Sequence, residues 1–113
     1  MEASTYSAQR RSERVLVDLP LIVRGVSLTD NQAFEEETFT LTVSAHGALL
    51  MLASKVALGQ TLCLLNPIGR ENRAARISFV GRDHAGMSQV GVEFASPAPE
   101  FWAIDSPPRN WST

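Results

Sequence analysis

Six short apolar segments, each followed by turn residues, most constrain what this chain can fold into. The clearest is residues 39–44, where Phe39, Leu41 and Val43 alternate with hydroxyl residues and are expected on one face of a strand. Pro20 cannot donate a ladder hydrogen bond, which predicts an edge strand or a bulge in the first segment. No long helical period interrupts the series, so the pattern predicts a mainly β fold, an antiparallel barrel or sandwich. The other predicted strands are residues 15–23, 48–52, 61–65, 76–80 and 89–94.

The segments between and beyond these strands complete the predicted organisation. Residues 25–37 have the composition of a polar loop, and Gly47 is expected to turn the chain with a positive φ. Residues 97–104 are predicted to begin a short helix, which Pro107 and Pro108 would end. We therefore expect a flexible tail over residues 1–9, a barrel over 10–96, and a C-terminal helix or tail over 97–113 that packs on the barrel through Phe101, Trp102 and Ile104. Trp111 is expected as a further packing residue, with an exposed contact for a partner as the alternative.

Composition excludes several classes of protein. Ten Lys and Arg against 12 Asp and Glu give a net charge of −2 over 113 residues, which argues against binding of long nucleic acid. The longest apolar stretch, residues 47–52, is too short for a membrane helix, so no membrane association is expected. The single cysteine, Cys63, is predicted as a buried small hydrophobe and indicates a reducing, cytoplasmic setting. No arrangement typical of a catalytic or metal site is present, so no enzyme, metal or cofactor is predicted.

Two sequence features can carry binding chemistry. Arg10, Arg11 and Arg14 lie just before the first strand, and guanidinium groups present forked donors that match phosphate oxygens or the O6/N7 edge of guanine. The alternative for these arginines is a solvated basic segment paired with acidic neighbours such as residues 35–37. The second feature is the turn over residues 42–47, where the Ser44 hydroxyl and backbone N–H groups can face an anion.

Together these features resemble the PilZ domain family. An Arg-x-x-x-Arg pair, Arg10 and Arg14, precedes the first strand, and a turn of the Asp/Asn-x-Ser-x-x-Gly type follows some thirty residues later at residues 42–47. The resemblance extends over about residues 10–95 and includes the closing segment 90–94. It implies a six-stranded antiparallel β-barrel that binds cyclic di-GMP, a bacterial second messenger, and passes its presence to a protein partner.

The resemblance also implies which residues bind. Arg10 and Arg14 match the family's two arginines, Arg11 is an additional cation, and Ser44 and Gly47 match the turn. His46 is a further candidate in this turn, and its side chain is expected at the surface rather than stacked on a base.

Thr42 departs from the family pattern, because it stands where the family has Asp or Asn. One hydroxyl replaces a group that can accept two bonds from the guanine edge, at a cost of about 1.5–3 kcal/mol.

The sequence leaves open which function the barrel performs. The favoured function is a cyclic di-GMP receptor or adaptor that changes its surface for an unknown protein partner when the ligand binds. The alternative is a degenerate PilZ barrel that no longer binds nucleotide and acts as a protein interaction module, as the threonine at position 42 suggests. A barrel that binds single-stranded RNA is disfavoured, because the net charge is negative and no strand interleaves aromatic with basic residues.

Overall fold

The computed structural model describes residues 12–105 and 107–111. Within these residues the fold is a closed antiparallel barrel of six strands, β2 to β7, with one extra short strand, β1. Around the barrel the strand order is β3-β2-β5-β6-β7-β4, and pairing of β3 with β4 closes it. The mainly β fold and the six-stranded barrel are therefore confirmed. The strands are β1 (Val15–Leu16), β2 (Pro20–Val26), β3 (Ala33–Ser44), β4 (Gly47–Leu52), β5 (Thr61–Asn66), β6 (Glu71–Val80) and β7 (Ser88–Phe94).

The first predicted strand is broken, as Pro20 suggested, and one buried threonine joins its two halves. β1 and β2 pair with different parts of β3, and the residues between them leave the ladder. Thr40 is fully buried, and its hydroxyl donates to the Val17 carbonyl at 2.6 Å and accepts from the Leu19 N–H at 2.9 Å. The side chain thus satisfies the backbone groups that the break would leave unpaired in the interior.

The predicted loop over residues 25–37 is wrong, because most of it belongs to β2 and β3 and only residues 27–32 connect them. The acidic run has cross-strand and loop partners that keep it in the sheet. Glu35 lies opposite Arg24 and forms an ion pair at 2.8 Å, while Glu36 accepts from the Ala53 and Ser54 N–H groups at 2.7 and 3.0 Å. Glu35 and Glu36 therefore have partners on β2 and in the loop after β4.

A bulge changes which face of β3 points into the barrel. The register between β3 and β4 shifts between Thr40 and Thr42, so Thr40 and Val43 both reach the interior. Phe39 is 45% exposed on the outside, and the prediction that it shares a face with Val43 is wrong. One extra residue in the strand reverses the alternation beyond it.

The barrel interior is filled by aliphatic side chains from its strands. An aromatic cluster from the C-terminal segment packs against this core: Phe101 meets Phe94 at 5.4 Å and Trp102 at 4.9 Å between ring centroids, both edge to face. The buried strand side chains include Leu21, Val23, Leu50, Leu52, Leu62, Leu64, Ile77, Val90 and Val92.

The C-terminal segment forms two single turns of 3₁₀ helix, Pro99–Trp102 and Arg109–Trp111. The first ends at Ala103, whose left-handed φ of 55° stops it before the prolines that were expected to do so. Trp102 and Trp111 are each 2% exposed, which confirms them as packing residues. Cys63 is only half-buried, so the prediction of a buried thiol is wrong; it alternates with the inward-facing Leu62 and Leu64 and therefore lies on the other side of β5.

Candidate functional site

The predicted turn is a tight reversal between β3 and β4, and the C-terminal part of the chain braces it. Its three carbonyl groups each accept one hydrogen bond: Ser44 from the Trp102 indole at 2.8 Å, Ala45 from the Ala98 N–H at 2.7 Å, and His46 from the Phe94 N–H at 2.7 Å. The Ser44 Oγ also accepts from the His46 N–H at 3.2 Å. The backbone of the turn is therefore fixed from several sides, which suits a preformed binding site.

Gly47 is required here for a reason other than the one predicted. It does not adopt a positive φ, a conformation that Gly59 and Gly86 do adopt. A Cβ at position 47 would instead lie 1.9 Å from the Val92 carbonyl oxygen, because β7 passes directly against it. Glycine at this position permits close contact between two backbones.

The turn forms one wall of a groove on the outside of the barrel, with a volume of about 630 Å³. Among the residues predicted as ligand contacts, Arg14, Thr42, Ser44, His46 and Gly47 all line this groove. Arg10 and Arg11 lie outside the described residues. Two segments some thirty residues apart in sequence thus share one cavity, whose volume is within the range of about 300–1,000 Å³ usual for small-molecule sites.

The N-terminal segment approaches the turn through a side-chain contact. Ser12 is 2% exposed, and its hydroxyl lies 3.0 Å from the His46 Nδ1. His46 was expected at the surface, but it is half-buried. Two positions further along, the exposed Arg14 side chain lines the groove.

The floor of the groove is a row of residues that lie directly opposite one another on neighbouring strands. Thr42 pairs with Leu49, Leu49 with Gly91, and Gly91 with Phe79. At the β1 end of this row, Leu16 lies opposite Thr42 and is 86% exposed. The floor is therefore largely apolar.

Phe79 and Gly91 together form the apolar end of this floor. The Phe79 side chain is 49% exposed, and a Cβ on Gly91 would lie 3.1 Å from the Phe79 Cβ. The Phe79 Cβ thus lies close to a position that carries no side chain, and the half-exposed Phe79 adds aromatic surface to the groove.

A second row of paired residues runs across the strands beside the apolar floor, and this row is mainly polar. Ser44 pairs with Gly47, Gly47 with Glu93, and Glu93 with Arg76. The Glu93 carboxylate lines the same groove as Arg14. One groove therefore brings together a guanidinium, a carboxylate and hydroxyl groups above an apolar floor.

Sequence reasoning missed the contributions of β6 and β7 to the groove. Alternation in the last strand indicates that Gln89, Gly91 and Glu93 share the face opposite Val90 and Val92. The alternation does not show that β7 lies beside β4. That pairing is seen only in the closed barrel. Phe79 carries no sequence signal that separates it from a core residue.

Neither a metal site nor a membrane helix is found in the described part of the chain. No group of three or more His, Cys, Asp or Glu side chains among residues 12–105 and 107–111 is placed to hold a metal ion. No helix within the same residues is long and apolar enough to span a bilayer.

The closed six-stranded antiparallel barrel is the architecture that the resemblance to PilZ domains implies. No protein-family model and no curated protein sequence matches the chain. Among solved structures, it is similar to the inhibitor of motility MotI/DgrA of Bacillus subtilis, a PilZ-type protein, with a TM-score of 0.59 and 18% sequence identity. The match covers 80% of this chain and 44% of the MotI/DgrA chain, so it spans less than half of that protein. This likeness confirms the PilZ-like fold, and at this identity it shows the fold alone.

Proposed function

We propose that this protein binds cyclic di-GMP in the external groove and that the ligand alters the surface presented to a protein partner. The observation that carries the proposal is the convergence of Arg14 with the turn residues Thr42, Ser44 and Gly47 in one groove. Arg14, Ser44 and Gly47 match the two PilZ sequence motifs, which are distant in the chain, and Thr42 stands at the Asp/Asn position of the second motif. Similarity of fold to a PilZ-type protein supports the same function.

The groups in the groove fit the chemistry of a cyclic guanine dinucleotide. Arg14 presents forked donors for a phosphate or for the O6/N7 edge of guanine, and Arg10 and Arg11 add further guanidinium groups to the same segment of sequence. Phe79, which lines the groove and is 49% exposed, offers aromatic surface on which a purine can stack. The ligand therefore meets both an electrostatic and an apolar contact.

Glu93 compensates for the acceptor that Thr42 lacks. A carboxylate can accept two hydrogen bonds from the N1–H and N2–H₂ edge of guanine, which a threonine hydroxyl cannot. Glu93 lies on the strand that pairs with β4, opposite Gly47, and its side chain lines the groove. The guanine edge is thus recognised from β7 instead of from β3.

Isothermal titration calorimetry with cyclic di-GMP tests this function. The wild-type protein is expected to bind, and Arg14→Ala is expected to weaken binding at least about tenfold, the loss of a charge-assisted hydrogen bond. Arg82→Ala is the matched control, because Arg82 is exposed on a loop and does not line the groove. Cyclic di-AMP in place of cyclic di-GMP tests whether the guanine edge is recognised. A dissociation constant weaker than about 1 mM for the wild-type protein would refute the proposal.

The degenerate barrel stays the second candidate, favoured by apolar side chains on the outer surface. Leu16 is 86% exposed and Phe39 45% exposed, both on strands next to the groove. Exposed apolar side chains of this kind are typical of protein interaction surfaces when they are contiguous. Absence of cyclic di-GMP binding by a well-folded protein would favour this function.

A further inference from the structure

The C-terminal segment is hydrogen-bonded to both walls of the groove. At the turn, the Trp102 indole donates to the Ser44 carbonyl and the Ala98 N–H donates to the Ala45 carbonyl. At the N-terminal wall, the Trp111 indole donates to the Glu13 carbonyl at 2.7 Å, and the Glu13 N–H donates to the Asn110 Oδ1 at 3.2 Å. Both backbone polar groups of Glu13 are thus held by residues almost a hundred positions further along the chain.

This two-point contact lies directly beside Arg14. Trp111 is 2% exposed, so its indole N–H donates to Glu13 in surroundings that exclude most water. On the other side of Glu13, Ser12 is buried against His46. Beyond Arg14, the chain is held to β3 by the two residue pairs of β1 and by the Val17 N–H, which donates to the Leu41 carbonyl at 3.2 Å. The contacts of Ser12 and Glu13 therefore constrain where the backbone of Arg14 lies.

We infer that Asn110 and Trp111 are positioning residues that hold the N-terminal segment beside the groove, so that Arg14 is already placed when the ligand arrives. Neither residue lines the groove, and neither is expected to touch the ligand. The inference rests on the proposed function only where it concerns ligand affinity. Prior placement of a binding group raises affinity, because less conformational entropy is lost on binding.

Amide hydrogen exchange in the ligand-free protein tests the contact itself. Two hydrogen bonds join Glu13 to the C-terminal segment, and each variant removes one of them. Exchange is measured at the N–H group of the other bond. Trp111→Phe keeps an apolar ring and is expected to raise exchange of the Glu13 amide about fivefold, the effect of losing one hydrogen bond. Asn110→Ala, a change at an exposed residue, is expected to raise exchange of the Trp111 indole N–H by a similar factor of about five.

Trp102→Phe is the matched control, since it removes the same indole donor from the same C-terminal segment but at the Ser44 carbonyl. It is expected to leave the Glu13 amide unchanged. The inference is overturned if the Glu13 amide exchanges at the wild-type rate in Trp111→Phe, or if Trp102→Phe accelerates it equally, which would indicate general loosening of the barrel.

A double-mutant cycle with cyclic di-GMP as the probe tests whether the contact acts through Arg14. Trp111→Phe is expected to weaken binding about fivefold in the wild-type background and to have no effect in the Arg14→Ala background. Equal weakening in both backgrounds would overturn the positioning role. If the wild-type protein does not bind cyclic di-GMP at all, the proposed function fails, and the exchange measurements alone decide whether the contact holds the segment.

Discussion

Replacing Gly47 by alanine tests the close contact on which the groove is built. An added Cβ would lie 1.9 Å from the Val92 carbonyl oxygen and 2.9 Å from its carbon. Non-bonded heavy atoms normally lie about 3.5–4.0 Å apart, so β4 and β7 must separate by more than about 1 Å to admit the methyl group. The obstacle is backbone within a sheet and cannot rotate away as a side chain would.

The expected destabilisation follows from the size of this clash. Overpacking a well-packed site costs about 1–3 kcal/mol, and separation of β4 from β7 also weakens the ladder at the pair of Gly47 and Glu93. We therefore expect Gly47→Ala to lower the free energy of unfolding by at least about 2 kcal/mol. A domain of this size has a total stability of about 5–15 kcal/mol, so the variant should still fold and the loss should be measurable.

Urea denaturation followed by tryptophan fluorescence measures this loss. Gly69→Ala is the matched control, because its added Cβ would lie 3.6 Å from the nearest atom, the Asn66 Nδ2, and Gly69 has no positive φ. The control is expected to change stability by less than about 0.5 kcal/mol. If Gly47→Ala is as stable as Gly69→Ala, the close contact between β4 and β7 is not as described.

Three further predictions test the threonines and the aromatic floor. Thr42→Asn should change cyclic di-GMP affinity by less than about 0.5 kcal/mol in calorimetry, because Glu93 already accepts from the guanine edge; tightening by about 1 kcal/mol would mean that this edge faces β3 instead of β7. Thr40→Val should lower stability to urea by about 1–3 kcal/mol, since it leaves the Val17 carbonyl and the Leu19 N–H without their buried partner, and a neutral effect would show that they find another. Phe79→Ala should weaken cyclic di-GMP binding by about 1–3 kcal/mol through loss of base stacking, whereas Phe39→Ala, an equally exposed ring that does not line the groove, should not.

The positions of the strands could be predicted from the sequence because alternation is a local property. All six predicted segments contain strand, and the turn at residues 45–46 is where the pattern placed it. Residues 25–37 were misassigned because an acidic run has little intrinsic preference for a strand. Arg24 opposite Glu35 stabilises that pairing, and no reading of one segment alone can reveal such a partner.

Which side chains of β3 point into the barrel could not be predicted, because the sequence alternates regularly across the position of the bulge. Phe39, Leu41 and Val43 form a regular pattern in the sequence, yet the extra residue near Thr42 turns Phe39 outward and Val43 inward. Thr40 then becomes the buried residue, and its hydroxyl is used by the broken strand. The polar residue that seemed to belong to the surface is thus the one that the backbone required inside.

In the candidate site, too, the residues of local sequence motifs could be predicted, and the residues brought in by strand pairing could not. Arg14 and the turn residues carry recognisable motifs, so their meeting in one groove was expected from the resemblance. Glu93 and Phe79 enter the groove only because β7 pairs with β4 and β6 in the closed barrel. The departure at Thr42 is consequently best judged against the whole groove. An acceptor lost from β3 can be supplied from β7, and the position of one carboxylate can decide whether a barrel with an atypical motif still recognises guanine.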